Sequence, residues 1–502
     1  MVFQGALRFY FAQEDFRDLA VKAGVYPRHT QLWRYLSVQT FMDVFYPFFH
    51  DRSLPYHAVG LALHSVNASL LFVLLSKRVS RAAALIGSSF FAVHPALFTA
   101  LYWFSARADI LAAFFALATF VLALRSGRER WLAVPAFACA LLSKESVLPL
   151  PAIIWVWERW RAGREPGRSE REKWWTMTAT LAGMTLLYGF YLAQAGVGVA
   201  PSLGAQQAYA MDLRAAFGNL LTYVGWTVDL AMVRPGMRFV DSPNPELFGL
   251  AILMLLIAGL LASWTLLRRR GWLFAAFSYV LLLIPVLPFE NHTYHYYLYL
   301  PLMAAGACAA LLGDAVLAFS VRQEKPKGGK NRGQFETMAL TGAVALACWC
   351  ILTWNGARLV TEMERRPSPV YPGLRGDPIV DRSLIAERAI DGLKVAAIPS
   401  GAEMVFIMRE RLALIARIAR GSGESSPPAQ EVYPETNVRT ALFDGVGVRA
   451  LFPAVDSVMF ATTLGQPMTQ RRYAVYAPTG ETEVFDAASL DSLLRSEWVT
   501  RW

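Results

Sequence analysis

Charge is what this sequence has least of. Only 17% of its 502 residues are Asp, Glu, Lys or Arg, against 55% hydrophobic, and the mean hydropathy is +0.34. A water-soluble chain carries about a quarter charged residues, so a soluble enzyme is not the expectation. Cysteine is scarce too. Cys139, Cys308, Cys348 and Cys350 all sit in apolar runs, with no Cys-x-x-Cys pair. That spacing gives neither a disulfide scaffold nor a zinc site, and the four read as small core residues. No cleavable leader is expected. "MVFQGALRFYF" is apolar but gives way to "QEDFRD", too soon to cross a bilayer at ~1.5 Å per residue. It reads as the tail end of a first span, truncated at its start.

Long apolar runs are what the chain has instead, each near the ~20 residues that span a membrane as a helix. We expect spans at 56–76, 81–94, 106–124, 131–143, 146–157, 174–195, 246–267, 271–288, 296–318 and 336–356. The net charge of +10 does not point to nucleic acid, because Lys and Arg cluster in short loops at 76–81, 125–130, 158–173, 268–271 and 322–332. The positive-inside rule places those loops in the cytoplasm. The spans then alternate if the amphipathic stretch 212–233 starts and ends on the outer side. The short pair 131–143 and 146–157 reads as a hairpin with "LSKES" at its tip.

This topology gathers the chemistry-bearing residues on the outer side: Glu14, Asp15, His57, His94, Arg107, Asp109, Lys144, Glu145, Glu290 and His292. Each has a plain and a sharper reading. Glu14 and Asp15 are a solvated loop start or a general base at the membrane surface. His57 and His64 share a helix face with Asn67 and either pack helices or contact phosphate. Arg107 and Asp109 are an intramembrane ion pair or, with His94, a phosphate clamp beside an acid. Lys144 and Glu145 neutralise each other, or the lysine faces a lipid phosphate. Glu290 and His292 lie in a loop before "YHYYLYLP", whose aromatics suit a membrane-interface belt or a sugar ring.

After 357 the character changes. Residues 358–373 are a Pro-rich linker, and 374–502 read as a small α/β domain on the outer face. "AEMVFIM" and "SVMFATT" are strand-like, "RERLALIARIA" and "NVRTALFDGVGVRALF" helical. "RRYAVYAPTGETEVFD" is a hairpin turning at Thr-Gly, and "AASLDSLLRSEW" a capped helix. No 34-residue repeat occurs, so this is not a helical repeat array.

"YHAVGLALHSVNASLLFVLL", "FFAVHPALFTALYWFSARADILAAFFALATF", "ALLSKESVLPLP" and "HYYLYLP" occur in an order that resembles GT-C-type membrane glycosyltransferases. The nearest in pattern are the transmembrane O-mannosyltransferases with tetratricopeptide tails and their bacterial relatives. The resemblance covers about residues 10–310 and implies an all-α polytopic membrane bundle of about 10–11 transmembrane helices, here with the α/β domain in place of the tail. It implies an inverting transferase using a polyprenyl-phosphate-linked sugar and an extracytoplasmic protein or glycan acceptor. Asp15, with Glu14 beside it, would be the general base, and Asp109 would arrange acceptor or metal. Lys144, Arg107 and His94 would meet the donor phosphate. Mg or Mn, if used, would sit on Asp15 and Asp109, and no organic cofactor is implied. The expected location is a bacterial inner membrane, with site and C-terminal domain extracytoplasmic and membrane lipid as surroundings. The pair here is Glu-Asp where the family has two aspartates. Two other readings stay open: a non-catalytic assembly protein of the same fold, and a lipid or solute transporter.

Overall fold

A computed structural model of the chain describes residues 2–125, 127–161, 168–195, 210–228, 253, 271–290, 292–323, 330–369, 371–420, 432–463 and 470–496. The span expected at 246–267 lies outside these residues, apart from position 253, as do 162–167, 268–270 and 324–329 of the expected basic loops.

The first residues do not form the end of a span. Gln4–Arg8 is one 3-10 turn, followed by extended chain. Phe3, Ala6, Phe9 and Phe11 are buried, with the Phe3 ring 5.9 Å from His64 and Phe9 5.0 Å from Tyr102. The apolar stub is a strap packed across the bundle. Its apolar residues fall at 3, 6, 9 and 11, and Gln4 and Arg8 stay at the outside, a spacing that suits one-sided packing better than lipid on all sides. After it come α1 (Asp15–Lys22) and α2 (Phe41–Phe49), the latter entered through a π-helical turn at Leu36–Thr40.

The bundle follows. Helix α3 (Ser53–Leu75) is apolar on every side, and α4 (Arg81–Ala92) starts at Ser80, whose hydroxyl accepts the Ala83 N–H. His94-Pro95 stops α4, because proline offers no N–H and restricts the residue before it. The chain resumes in α5 (Phe98–Tyr102) at a bend of 45°, then α6 (Arg107–Ala123), α7 (Ala133–Ser143), α8 (Leu150–Arg161) and α9 (Arg168–Gln194). Next are α10 (Ala215–Val228), α11 (Gly271–Leu283), α12 (Pro301–Gln323) and α13 (Lys330–Arg365). Helices α4 and α12 touch backbone to backbone: a Cβ on Gly87 would stand 2.3 Å from the Gly306 carbonyl. Small residues allow that approach.

Among the described residues three helices are long and apolar enough to cross a membrane, Ser53–Leu75, Phe104–Ala123 and Gly342–Arg365, with the bent pair Arg81–Tyr102 a fourth. This is fewer than the expected ten or eleven. Several expected spans are short or broken: α7 has 11 residues and α11 has 13, and a 3-10 turn at Glu145–Val147 precedes α8. Helix α13 runs on to Arg365, so the first half of the expected linker is helical.

The C-terminal unit begins with α14 (Pro378–Lys394), capped by Asp377, and contains one four-stranded sheet. Strands β1 (Ala402–Met408), β2 (Val455–Phe460), β3 (Arg471–Tyr476) and β4 (Thr482–Phe485) lie in the order β2-β1-β3-β4. β1 is parallel to β2 and β3, and β3 pairs antiparallel with β4 across the Thr-Gly turn. β1 is apolar from Met404 to Met408 because both its faces are covered there, as in a parallel sheet. Met404, Phe406 and Met408 pack on one side with Ile385, Ala389 and Leu393 of α14 and Val438 of α16 (Tyr433–Ala441). Val405 and Ile407 pack on the other with Leu412 of α15 (Arg409–Ala419) and Leu490 of α18 (Ala487–Arg495). The run expected as one helix over "NVRTALFDGVGVRALF" breaks at Phe443, Asp444 and Gly445, all with positive φ, and restarts as α17 (Val446–Leu451). The first side of the sheet also receives Phe11, Phe16, Leu19 and Tyr56, so this unit and the front of the bundle share one apolar core.

Candidate functional site

Four segments bring charge together at one end of the bundle: α1, the start of α6, the chain reversal between α7 and α8, and the loop before α2. Asp15 and Asp18, three apart, lie on one face of α1. Arg107 and Asp109 open α6, where an aspartate also suits the helix N-terminus. Helix α7 ends at Ser143 because Lys144 is fully extended, φ −161° and ψ 142°.

Lys144 and Asp109, 35 residues apart in the chain, are in direct contact: Nζ donates to Oδ2 at 2.6 Å, and both side chains are 4% exposed. The ammonium also stands over the rings of Tyr296 and Tyr297, 4.9 and 5.0 Å from their centroids, a cation–π contact. Arg107 donates to the Asp18 carboxylate, to the Ser37 carbonyl at 2.8 Å and to the Phe104 carbonyl at 3.3 Å. Its guanidinium lies 4.0 Å from the centre of the Phe104 ring. Ser37 joins the two ion pairs, because its hydroxyl donates to the Ser143 carbonyl at 2.8 Å. Arg34 holds Glu145 through two bonds, one from Nε at 3.0 Å, and the Trp33 indole donates to the same carboxylate at 3.1 Å. Burial acts to raise the Glu145 carboxyl, and the charges of Arg34 and Lys144 outweigh it, holding the group at about 2.

Asp15 stands at the edge of this layer. Its Oδ1 accepts the Ser105 amide at 2.7 Å and the Ser105 hydroxyl at 2.5 Å, and Oδ2 accepts the Ala12 amide at 3.1 Å. Burial pushes its carboxyl up from 3.8 to about 7, against the pull of Ser105, Ala12 and Arg107. A carboxyl raised in the fold adds its full share of stability below its ordinary value and loses it as pH rises through the folded value. The melting temperature of the wild type, relative to Asp15→Asn, is therefore expected to fall between pH 3.8 and 7. Thermal melts of both proteins from pH 4 to 8 check this; parallel curves would contradict a neutral buried Asp15. Beside it, Glu14 precedes α1, and its Oε2 is buried without a hydrogen-bond partner.

The remaining candidates lie elsewhere or serve the backbone. His94 caps the turn at Pro95–Leu97: Nδ1 accepts the Ala96 N–H at 3.2 Å and Nε2 meets the Thr227 carbonyl at 3.0 Å. With both nitrogens on backbone it faces α10, not the Arg107 cluster. His64 ties Tyr299 to the Ala92 carbonyl, and Asn67 donates to Tyr299 and to the Ile110 carbonyl. His57 is buried in α3, with Nε2 unpartnered. His292 meets the Tyr297 hydroxyl at 3.0 Å, and Glu290 is exposed. Reading of the sequence missed Asp18, Arg34, Ser37 and Ser105. Only Asp18 carried a signal, its helical spacing from Asp15.

The residues present do not fit a bound divalent cation. Three donors occupy the Asp15 oxygens and an ammonium occupies Asp109. Among the described residues no group of three or more His, Cys, Asp or Glu side chains is placed to share an ion.

Just past the reversal, Val147, Leu150, Ile153 and Trp157 line an apolar cavity of about 100 Å³ with Leu300 and Phe274. The layer thus offers carboxylates and cations next to a space that takes only hydrocarbon. Comparison of the chain with protein-family models, with curated proteins and with solved structures finds no match.

Proposed function

We propose that this protein is an integral membrane glycosyltransferase that moves a sugar from a polyprenyl phosphate to an extracytoplasmic acceptor. The contact of Lys144 with Asp109, in one layer with Asp15 and Arg107 and three residues from an apolar cavity, is the observation that carries the reading. Exposed apolar side chains support the membrane part. Leu186, Leu187 and Phe190 of α9 and Ile351 and Trp354 of α13 are all at least 66% exposed, a surface that water does not favour.

In this mechanism Asp15 removes the proton of the acceptor hydroxyl. Its Oδ2 accepts only the Ala12 amide among the contacts described, leaving a lone pair for that proton. The acceptor oxygen bonds to the sugar's anomeric carbon from the face opposite the phosphate. The carbon–oxygen bond to phosphate breaks and the configuration inverts. The departing polyprenyl phosphate keeps the bonding electrons, with Lys144 and Arg107 stabilising its charge. Each cation would have to share or exchange its carboxylate for the phosphate. The hydrocarbon chain occupies the apolar cavity and the surrounding lipid.

The test incubates membranes containing the protein with radiolabelled polyprenyl-phosphate mannose, glucose and N-acetylglucosamine in separate arms, and measures release of polyprenyl phosphate. At least one donor is expected to turn over, with Asp15→Asn lowering the rate at least a hundredfold. No turnover in any arm, or full activity of Asp15→Asn, overturns the proposal. One observation favours a second reading, a non-catalytic assembly protein. Arg34, Arg107 and Lys144 each hold a carboxylate within the fold, leaving no excess positive charge for a donor. Inactive membranes that still bind no polyprenyl phosphate would select it.

A further inference from the structure

The segment bearing Glu14 and Asp15 is held from outside the bundle. Gln13, immediately before them, has φ +57°, a conformation uncommon for any residue but glycine. The C-terminal domain holds it there. The Gln13 amide donates to the Ala441 carbonyl at 3.0 Å, and Arg382 of α14 donates to Gln13 Oε1 at 2.8 Å. Arg382 is itself fixed, its Nε donating to Asn437 Oδ1 at 3.1 Å while Asn437 donates to Asp381 at 2.6 Å. Upstream, the Tyr10 amide donates to the Ser383 hydroxyl at 2.8 Å, and that hydroxyl donates back to the Tyr10 carbonyl at 3.1 Å. Downstream, the fully buried Phe16 lies on Gly447 of α17, where a Cβ would stand 2.6 Å from the ring. A domain present only to recruit a partner would not need to grip the three residues on either side of a carboxylate pair.

Resting on the transferase reading, we infer that the C-terminal domain completes the site, with Arg382 as a positioning residue that sets Glu14 and Asp15 through Gln13. Arg382 touches no reacting atom. It acts by holding a strained backbone that would otherwise relax to negative φ and swing Asp15 off Ser105. The guanidinium serves two acceptors at once in a fixed fork, which a lysine reproduces in part.

The experiment compares wild type, Arg382→Ala, Arg382→Lys and Gly447→Ala, each as the full chain in detergent micelles. Hydrogen–deuterium exchange is read over residues 11–18, with strand 402–408 as an internal control for an intact domain. Arg382→Ala is expected to speed exchange over 11–18 at least tenfold and leave 402–408 unchanged, with Arg382→Lys within threefold of wild type. Gly447→Ala, which displaces Phe16 by another route, is expected to give the same signature. With a donor that turns over, Arg382→Ala is expected to lower kcat at least tenfold at unchanged KM for the donor, and Arg382→Lys to restore most of it. Unchanged exchange over 11–18 in both Arg382→Ala and Gly447→Ala overturns the inference, as does faster exchange with undiminished kcat. Should the wild type turn over no donor, the transferase reading falls and the exchange result alone decides whether this domain holds the segment.

Discussion

Arg107→Ala is expected to be among the most damaging single substitutions in the bundle, at about 3–5 kcal/mol of stability. The size follows from what it leaves behind. Asp18 is 1% exposed at its side chain and would keep only the longer contact from the Arg17 Nε, 3.4 Å away. The Ser37 and Phe104 carbonyls would each lose a charged donor. Nothing of similar shape would cover the rings of Phe104 and Phe41. Arg107→Lys is expected to recover only part of the loss, because one ammonium cannot serve three acceptors in a planar fork. Denaturant or thermal unfolding of the purified protein measures both variants. A loss below about 1 kcal/mol, as for an exposed pair, would contradict the buried arrangement.

Next in size is the pair that joins α6 to the reversal. Asp109→Ala and Lys144→Ala are each expected to cost about 3–5 kcal/mol, since each strands a buried charge. The double substitution Asp109→Leu with Lys144→Met is expected to be far milder than the sum. It removes both charges and fills the space with hydrocarbon, which a buried pair often tolerates or even prefers. A double-mutant cycle on unfolding free energy therefore should give a large favourable coupling. Additive losses would mean that the two side chains do not meet. The same double variant separates stability from chemistry: if Lys144 faces a donor phosphate, it should fold yet fail to retain polyprenyl phosphate.

The apolar runs made α3, α4 and α6 legible within a few residues, because composition alone decides where a helix can stay apolar on all sides. The C-terminal strands were legible for a related reason: "AEMVFIM" is too short for a helix of that hydrophobicity and too continuous for a one-faced strand. What the pattern did not carry was partnership. The strap at Gln4–Arg8 reads as part of a span until its phenylalanines are seen packed on His64 and Tyr102. Helix α13 runs through the first half of the expected linker because "ARLVTEMER" has no Gly or Pro before Pro367. In the candidate site the charges Arg107, Asp109 and Lys144 announced themselves by their cost in an apolar setting, but their pairing did not. Arg107 turned to Asp18, and His94 to a backbone carbonyl of α10, because helix ends and proline geometry fix directions that spacing along the chain does not encode.

The bonds between Tyr10 and Ser383 bridge 373 residues, and this sets an order of events during synthesis. The strap is made before its partner Ser383, which follows the described bundle helices in the chain. Until then Phe16 lacks Gly447 beneath its ring, and the left-handed turn at Gln13 lacks the Ala441 carbonyl and Arg382 that hold it. Closure of so long a loop comes late and slowly, so the seating of Tyr10 and Gln13 is among the last steps of assembly. A chain cut short before Ser383 would carry the described bundle helices and still leave Tyr10, Gln13 and Phe16 without the partners that fix them.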